Sequence, residues 1–217
     1  MELLADSAYI LFVGLKYNLS LTVLAVLIAL PISCFVAVAR LSRFPLIFYP
    51  ATIYINVLRS SPLLMVLFWF YYTIPMLLGQ EVNVFYASLA GLAAFEVAYF
   101  AEFIRSGIQS ISKSQREAGF ATGLKHWQID LFIILPQALR KMLPSLVTQS
   151  IIAFQDSTLA SVIGVREIFQ TTKIINSREM RPILLYCFLA IVFFIICYSL
   201  SRVVRAIEWR IERRVST

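Results

Sequence analysis

Apolar residues along the 217-residue chain gather into long runs separated by short polar stretches. The runs fall at about 19–39, 52–78, 85–105, 142–163 and 183–201, and a helix needs roughly 20 such residues to cross the hydrocarbon core. The second run is most apolar after Pro62 and reaches back toward Ile47. The fourth is the most polar, and the fifth is the cleanest. No soluble domain is left over. The pattern predicts a single all-α integral membrane domain over 1–217, with about five transmembrane helices. Glu2 and Asp6 stand where a cleavable signal would carry basic residues, so the first span is expected to stay in the mature chain.

Composition agrees with lipid as the solvent. Hydrophobic residues make up 60% of the chain and charged ones only 14%, against about a quarter in soluble domains. The net charge of +7 does not point to nucleic acid, because no basic patch interleaved with aromatics lies outside the apolar runs. The cations follow the loops instead. With the amino terminus outside, the inner side holds Arg40, Arg43, Arg105, Lys113, Arg116, Lys125, Arg140, Lys141 and the arginines of the tail. The outer side holds Lys16, Arg166, Lys173, Arg178 and Arg181, with Arg59 near the membrane surface. That asymmetry predicts an outside amino terminus and a cytoplasmic carboxyl terminus. Cys34, Cys187 and Cys197 all fall inside apolar runs without metal-ligand spacing, and read as small core hydrophobes.

The longest polar stretch, 106–141, reads as two short helices. Ser114 and Glu117 have capping-box spacing, and Gly123 sits where a left-handed stop is wanted. A second helical segment follows with Trp127, Leu131 and Ile134 on one face, and Pro136 is expected to interrupt it. Ala118, Gly119 and Gly123 would let this backbone approach another protein closely.

The segment EAGFATGLKHWQIDLFIILP, residues 117–136, resembles the EAA loop of ATP-binding-cassette (ABC) importer permeases. The family pattern is Glu-Ala-Ala, three residues, Gly, nine residues, then Ile-x-Leu-Pro. Glu117, Ala118, Gly123, Ile133, Leu135 and Pro136 fall in register, and Gly119 replaces the second Ala. NVLRSSPLLMVLFWFY, ILPQALRKMLPSLVTQ and FQDSTLASVIGV resemble the polar amino-acid permeases. FEVAYFAEFIRSGIQSIS and FQDSTL are similar to their glutamate/aspartate branch.

The resemblance implies a type I ABC importer transmembrane fold with a cytoplasmic coupling helix, in a bacterial inner membrane. It implies as partners a cytoplasmic ABC ATPase dimer, an extracytoplasmic amino-acid-binding protein and a second permease subunit. Relatives pair as like or unlike halves, and the acidic branch favours a heterodimer over a homodimer. Glu117, Ala118, Gly119, Gly123, Leu135 and Pro136 would couple to the ATPase. The chain has no G-x-x-x-x-G-K-[ST] phosphate loop. ATP and Mg are therefore expected on the partner, with no cofactor and no catalytic or metal-binding residue here.

On a helix, Ser145, Thr148, Gln149, Gln155 and Asp156 share one face. A charged Asp facing lipid at depth costs at least ~2.5–3.5 kcal/mol, so Asp156, with Ser157 and Thr158, is expected to line the translocation path. Gln149 and Glu96 have two readings each, path lining or a helix–helix hydrogen bond. Glu102 and Arg105 read as an i,i+3 pair, and Arg59 as a substrate contact or a snorkelling interfacial cation. The alternative function, an ion- or proton-coupled carrier using Glu96 and Asp156, lacks an internal repeat and leaves 117–136 unexplained.

Overall fold

The structure, a computed structural model, describes the backbone of residues 2–215 and the side chains of 8–206. Every regular element among the described residues is helical. The chain runs through α1 (Glu2–Arg40), α2 (Pro45–Ser60), α3 (Leu63–Leu78), α4 (Val84–Gln109), α5 (Lys113–Ala121), α6 (His126–Ile163), α7 (Ile168–Glu179) and α8 (Pro182–Val215).

Small side chains set the packing of α1. Leu21, Ala25, Ala29, Ser33 and Ala37, spaced by four, are each 0% exposed. This strip lies on α4, where Val97, Phe100 and Ala101 are also buried. Apolar burial gives little drive in lipid, so close backbone approach through small residues and the resulting dispersion contacts hold such a pair. The opposite face of α1 shows Val23, Leu27, Phe35 and Val38 to the surroundings. Those exposed side chains suit hydrocarbon and not water.

The direction of each helix follows from its contacts. Tyr17 meets Phe85 with ring centroids 6.2 Å apart, and Arg40 pairs with Glu102, so α1 and α4 run parallel. Between them the chain must cross the bilayer once. It does not do so as one straight span over 52–78. Pro45–Ser60 and Leu63–Leu78 meet at 111°, because Pro62 stands at the start of α3 in extended conformation and cannot continue α2. The upper half of α3 relaxes into a π turn over Trp69–Thr73.

Helix α6 runs antiparallel to α4, with Met142 against Gly107 and Lys141 Nζ donating to Ser110 O at 3.1 Å. It starts at His126 and continues through Ile163, so Pro136 does not interrupt it. A π turn over Ile129–Ile134 precedes the proline and absorbs the lost N–H. Gln137 adds a side-chain bond from Nε2 to Ile133 O at 3.0 Å. The helices also overrun the apolar windows: α1 is spanning from Ala8, and α4 reaches Gln109. Between α4 and α6, only a short stretch around α5 lies outside the long helices.

After Asp156, α6 tightens into a 3-10 turn over Ser157–Ile163 and stops at Gly164, whose φ of +102° is open to glycine. Helix α7 then packs on the amino-terminal half of α1. Helix α8 touches the rest through Leu185 and Leu189 and through Phe193, stacked on Phe154 at 5.1 Å.

Candidate functional site

Two regions at different depths carry the polar chemistry. The first is α5 and the base of α6. Gly123, with φ of +79°, ends the connection after α5 as expected. Ser112, and not Ser114, stands before the first turn, and no side-chain cap is formed. Ser114 bonds the Ser112 hydroxyl instead, at 2.9 Å, so the Ser114–Glu117 capping box is absent.

Glu117 and Ala118 are exposed, whereas Gly119 is buried. A Cβ on Gly119 would lie 2.8 Å from Ile129 Cγ1 and 3.1 Å from Ile133 Cδ1. Gly119 lies where α5 rests on α6 of the same chain, so it faces Ile129 and not outward as expected. Trp127 and Leu131 are exposed while Ile134 is buried, so they do not share the expected face; Ile129 and Ile133 make the contact with Gly119 instead.

Polar braces surround that contact. Arg116 pairs with Asp130 at 2.6 Å, Gln137 Nε2 donates to Gln115 Oε1 at 3.3 Å, and Phe120 meets the His126 ring edge-on at 4.5 Å. Leu135 and Pro136 lie on the exposed side just above. Each of these exposed pairs is weak alone. Together they fix the orientation of α5 on α6, leaving Glu117, Ala118 and Ala121 facing outward.

The second region is the middle and far end of α6. Ser145, Thr148 and Gln155 are exposed, and Asp156 is half-buried. Gln149 turns inward: its Nε2 donates to Glu96 Oε2 at 3.1 Å and Oε1 at 3.4 Å. Of its two readings, the interhelical hydrogen bond is the one formed. Ser157 is buried, donating to Phe154 O at 2.8 Å while accepting from Asn18 Nδ2 at 2.9 Å. Thr158 donates to Gln155 O at 2.7 Å, and Gln155 Nε2 lies 3.5 Å from Cys197 Sγ.

At the α5 end of the spans, Glu102 gathers three arginines. Arg105 binds it bidentately at 2.6 and 3.0 Å, Arg40 pairs with it from α1, and Arg59 approaches to 3.6 Å from α2. Arg59 also lies over the Tyr99 ring, 5.3 Å from its centroid. The i,i+3 pair is therefore the centre of a cluster that ties three helices.

Asn18 and Glu167 were not singled out from the sequence. Asn18 is fully buried, and its Oδ1 accepts from Ile168 N at 2.9 Å. Glu167, also fully buried, caps α7 by accepting from Phe169 N and Gln170 N at 2.9 and 2.7 Å. Burial pushes the Glu167 carboxyl above its usual range, against the pull of those bonds. The only signal was an amide and a carboxyl beside apolar runs; the partners of Asn18 are too distant in sequence to infer, whereas the cap made by Glu167 is local.

Residues 10–213 match the family described as binding-protein-dependent transport system inner membrane component. Over 204 residues the chain is 39% identical to the glutamate/aspartate import permease protein GltK of Escherichia coli O157:H7, with 91% of each chain covered. It is 33% identical to the L-cystine transport system permease protein TcyB of Bacillus subtilis (strain 168), covering 94% of this chain and 87% of that one. A crystal structure of an amino acid ABC transporter with histidines superposes with a TM-score of 0.91 at 32% identity, over 95% of this chain and 96% of that one. That superposition bears out the type I importer fold expected from the sequence. The chain belongs to the binding-protein-dependent transport system inner membrane components.

Proposed function

We propose that the chain is one permease half of an ATP-driven amino-acid importer, carrying glutamate and aspartate inward across the bacterial inner membrane. The observation that carries this reading is α5, a short helix braced on α6 with Glu117 and Ala118 outward. Such a helix is built to receive a push from a second protein. It is joined to the spans through Gly119, which meets Ile129 and Ile133. Its partners are a cytoplasmic ATPase dimer, which holds the ATP and Mg, an extracytoplasmic binding protein, and a second, unlike permease subunit. The α5 end is cytoplasmic, so the amino terminus faces outward.

Asp156 is the group in the path, with Thr148, Ser145 and Gln155 on the exposed face of α6. Its carboxylate suits the α-ammonium group that every amino acid carries, which leaves selectivity for acidic side chains to other groups. Glu96 and Gln149 stand behind this face as its buried support. Ser157 and Thr158 shape the turn, and Arg59 belongs to the Glu102 cluster. The acidic cargo follows the likeness to GltK.

The test is ATP-dependent uptake by proteoliposomes holding the permease pair, its ATPase and its binding protein. Radiolabelled glutamate should accumulate and be competed by aspartate. Competition by glutamine or cystine alone removes the acidic assignment. Uptake that ignores ATP and collapses with the proton gradient removes the importer reading.

A further inference from the structure

One side chain closes the junction between α6 and α7. Asn18 Nδ2 donates to Ser157 Oγ, and Asn18 Oδ1 accepts from Ile168 N, each at 2.9 Å. Those two partners flank the 3-10 turn and the left-handed Gly164. Ser157 spends its own proton on Phe154 O at 2.8 Å, so its lone pairs face Asn18 and the orientation of both groups is fixed. Thr22 Oγ1 donates to Asn18 O at 2.8 Å from the next turn of α1.

The backbone supports the same closure. A Cβ at Gly14 would lie 2.9 Å from Ile168 Cα and 2.9 Å from Thr171 Oγ1, so the start of α7 is pressed against α1. Glu167 caps that start from a fully buried position. Left to itself, a short 3-10 turn ending in glycine is a compliant joint, since its hydrogen bonds are poor and the glycine resists little. Asn18 spans that joint.

We propose that Asn18 is a positioning residue for transport, making the outer half of α1, the Ser157–Ile163 turn and the start of α7 move as one piece. A displacement of α7, at the end of the bundle opposite α5, then reaches Asp156, which directly precedes Ser157. Without Asn18 the 3-10 turn absorbs it. The proposal rests on the reading of Asp156 as a path residue, and the experiment separates the two.

The importer, complete with ATPase and binding protein, is reconstituted with Asn18→Ala, Ser157→Ala, Ser157→Thr and Asp156→Asn permeases. Basal ATPase activity, its stimulation by glutamate-loaded binding protein, and glutamate taken up per ATP are measured. Asn18→Ala is expected to keep basal ATPase activity and lose about tenfold in stimulation and in uptake per ATP, within the usual range of coupling between sites. Ser157→Ala should move the same way by less, and Ser157→Thr, which keeps the hydroxyl, should stay near wild type. A lowered melting temperature with unchanged stimulation and uptake per ATP makes Asn18 merely structural and overturns the proposal. If Asn18→Ala does not assemble, the contrast between Ser157→Ala and Ser157→Thr decides, and equal behaviour of those two overturns it. Asp156→Asn with normal uptake beside an uncoupled Asn18→Ala removes the path reading and leaves the joint standing. The reverse outcome removes the joint alone.

Discussion

Gln149 Nε2 donates to both carboxylate oxygens of Glu96, at 3.1 and 3.4 Å, with both side chains buried between α4 and α6. A buried acceptor left without its donor costs about 1–3 kcal/mol. Gln149→Leu should therefore lower the thermal unfolding midpoint in detergent more than the double replacement Glu96→Leu with Gln149→Leu, which removes both partners. A double variant that is the less stable of the two shows that the pair does not act as one unit.

The Gly119 contact predicts a graded response. Gly119→Ala should weaken ATPase association slightly, because the new methyl would lie 2.8 Å from Cγ1 of Ile129, a stiff β-branched side chain that must shift. Gly119→Leu should lift α5 from α6 and reduce co-purification of the ATPase while membrane insertion continues. Gly123→Ala adds no clash but strains a φ of +79°, at about 1–2 kcal/mol. Equal co-purification with Gly119→Leu and wild type counts against the seat.

Glu102 is the shared counter-charge of Arg40, Arg59 and Arg105. Its replacement by Gln should destabilise more than the loss of any single arginine. Arg105→Ala should cost more than Arg59→Ala, since the first gives up a bidentate bond at 2.6 and 3.0 Å and the second a contact at 3.6 Å. Melting curves of the four variants rank them, and an Arg59→Ala loss above that of Arg105→Ala refutes the order.

Glu167 gives a pH dependence. Burial raises its folded pKa, so the folded state holds the proton more tightly than the unfolded one. Its contribution to stability is full below the unfolded value of about 4.3 and falls as pH rises through the raised folded value. Unfolding midpoints of wild type relative to Glu167→Gln should therefore decline from acidic toward neutral pH. A difference that grows over the same range reverses the sign.

The all-helical membrane class and the four to five apolar spans were legible because hydrophobicity is written along the chain. The seat of α5 was legible in part: 117–136 marked the place, but Gly119 was read as facing outward when it faces Ile129. Composition cannot say which side of a small residue is covered. The α2–α3 bend was hidden because both arms are apolar, and only the extended backbone at Pro62 separates them. Pro136 misled in the opposite sense, since a π turn lets the helix continue past it. Asn18, Ser157 and Ile168 meet only through the tertiary fold, so no local pattern could connect them.

Ahead of its 3-10 turn, helix α6 carries Asp130 and Asp156 about 39 Å apart at 1.5 Å per residue. Asp130, tied to α5 by Arg116, stands near one end, and Asp156 directly precedes the 3-10 turn at the other. The two ends therefore belong to one lever. A tilt of that lever by a few degrees about its middle swings both by ångströms in opposite directions, with no chain of small rearrangements between them. On this geometry, the distance between Asp130 and Asp156 is covered by leverage.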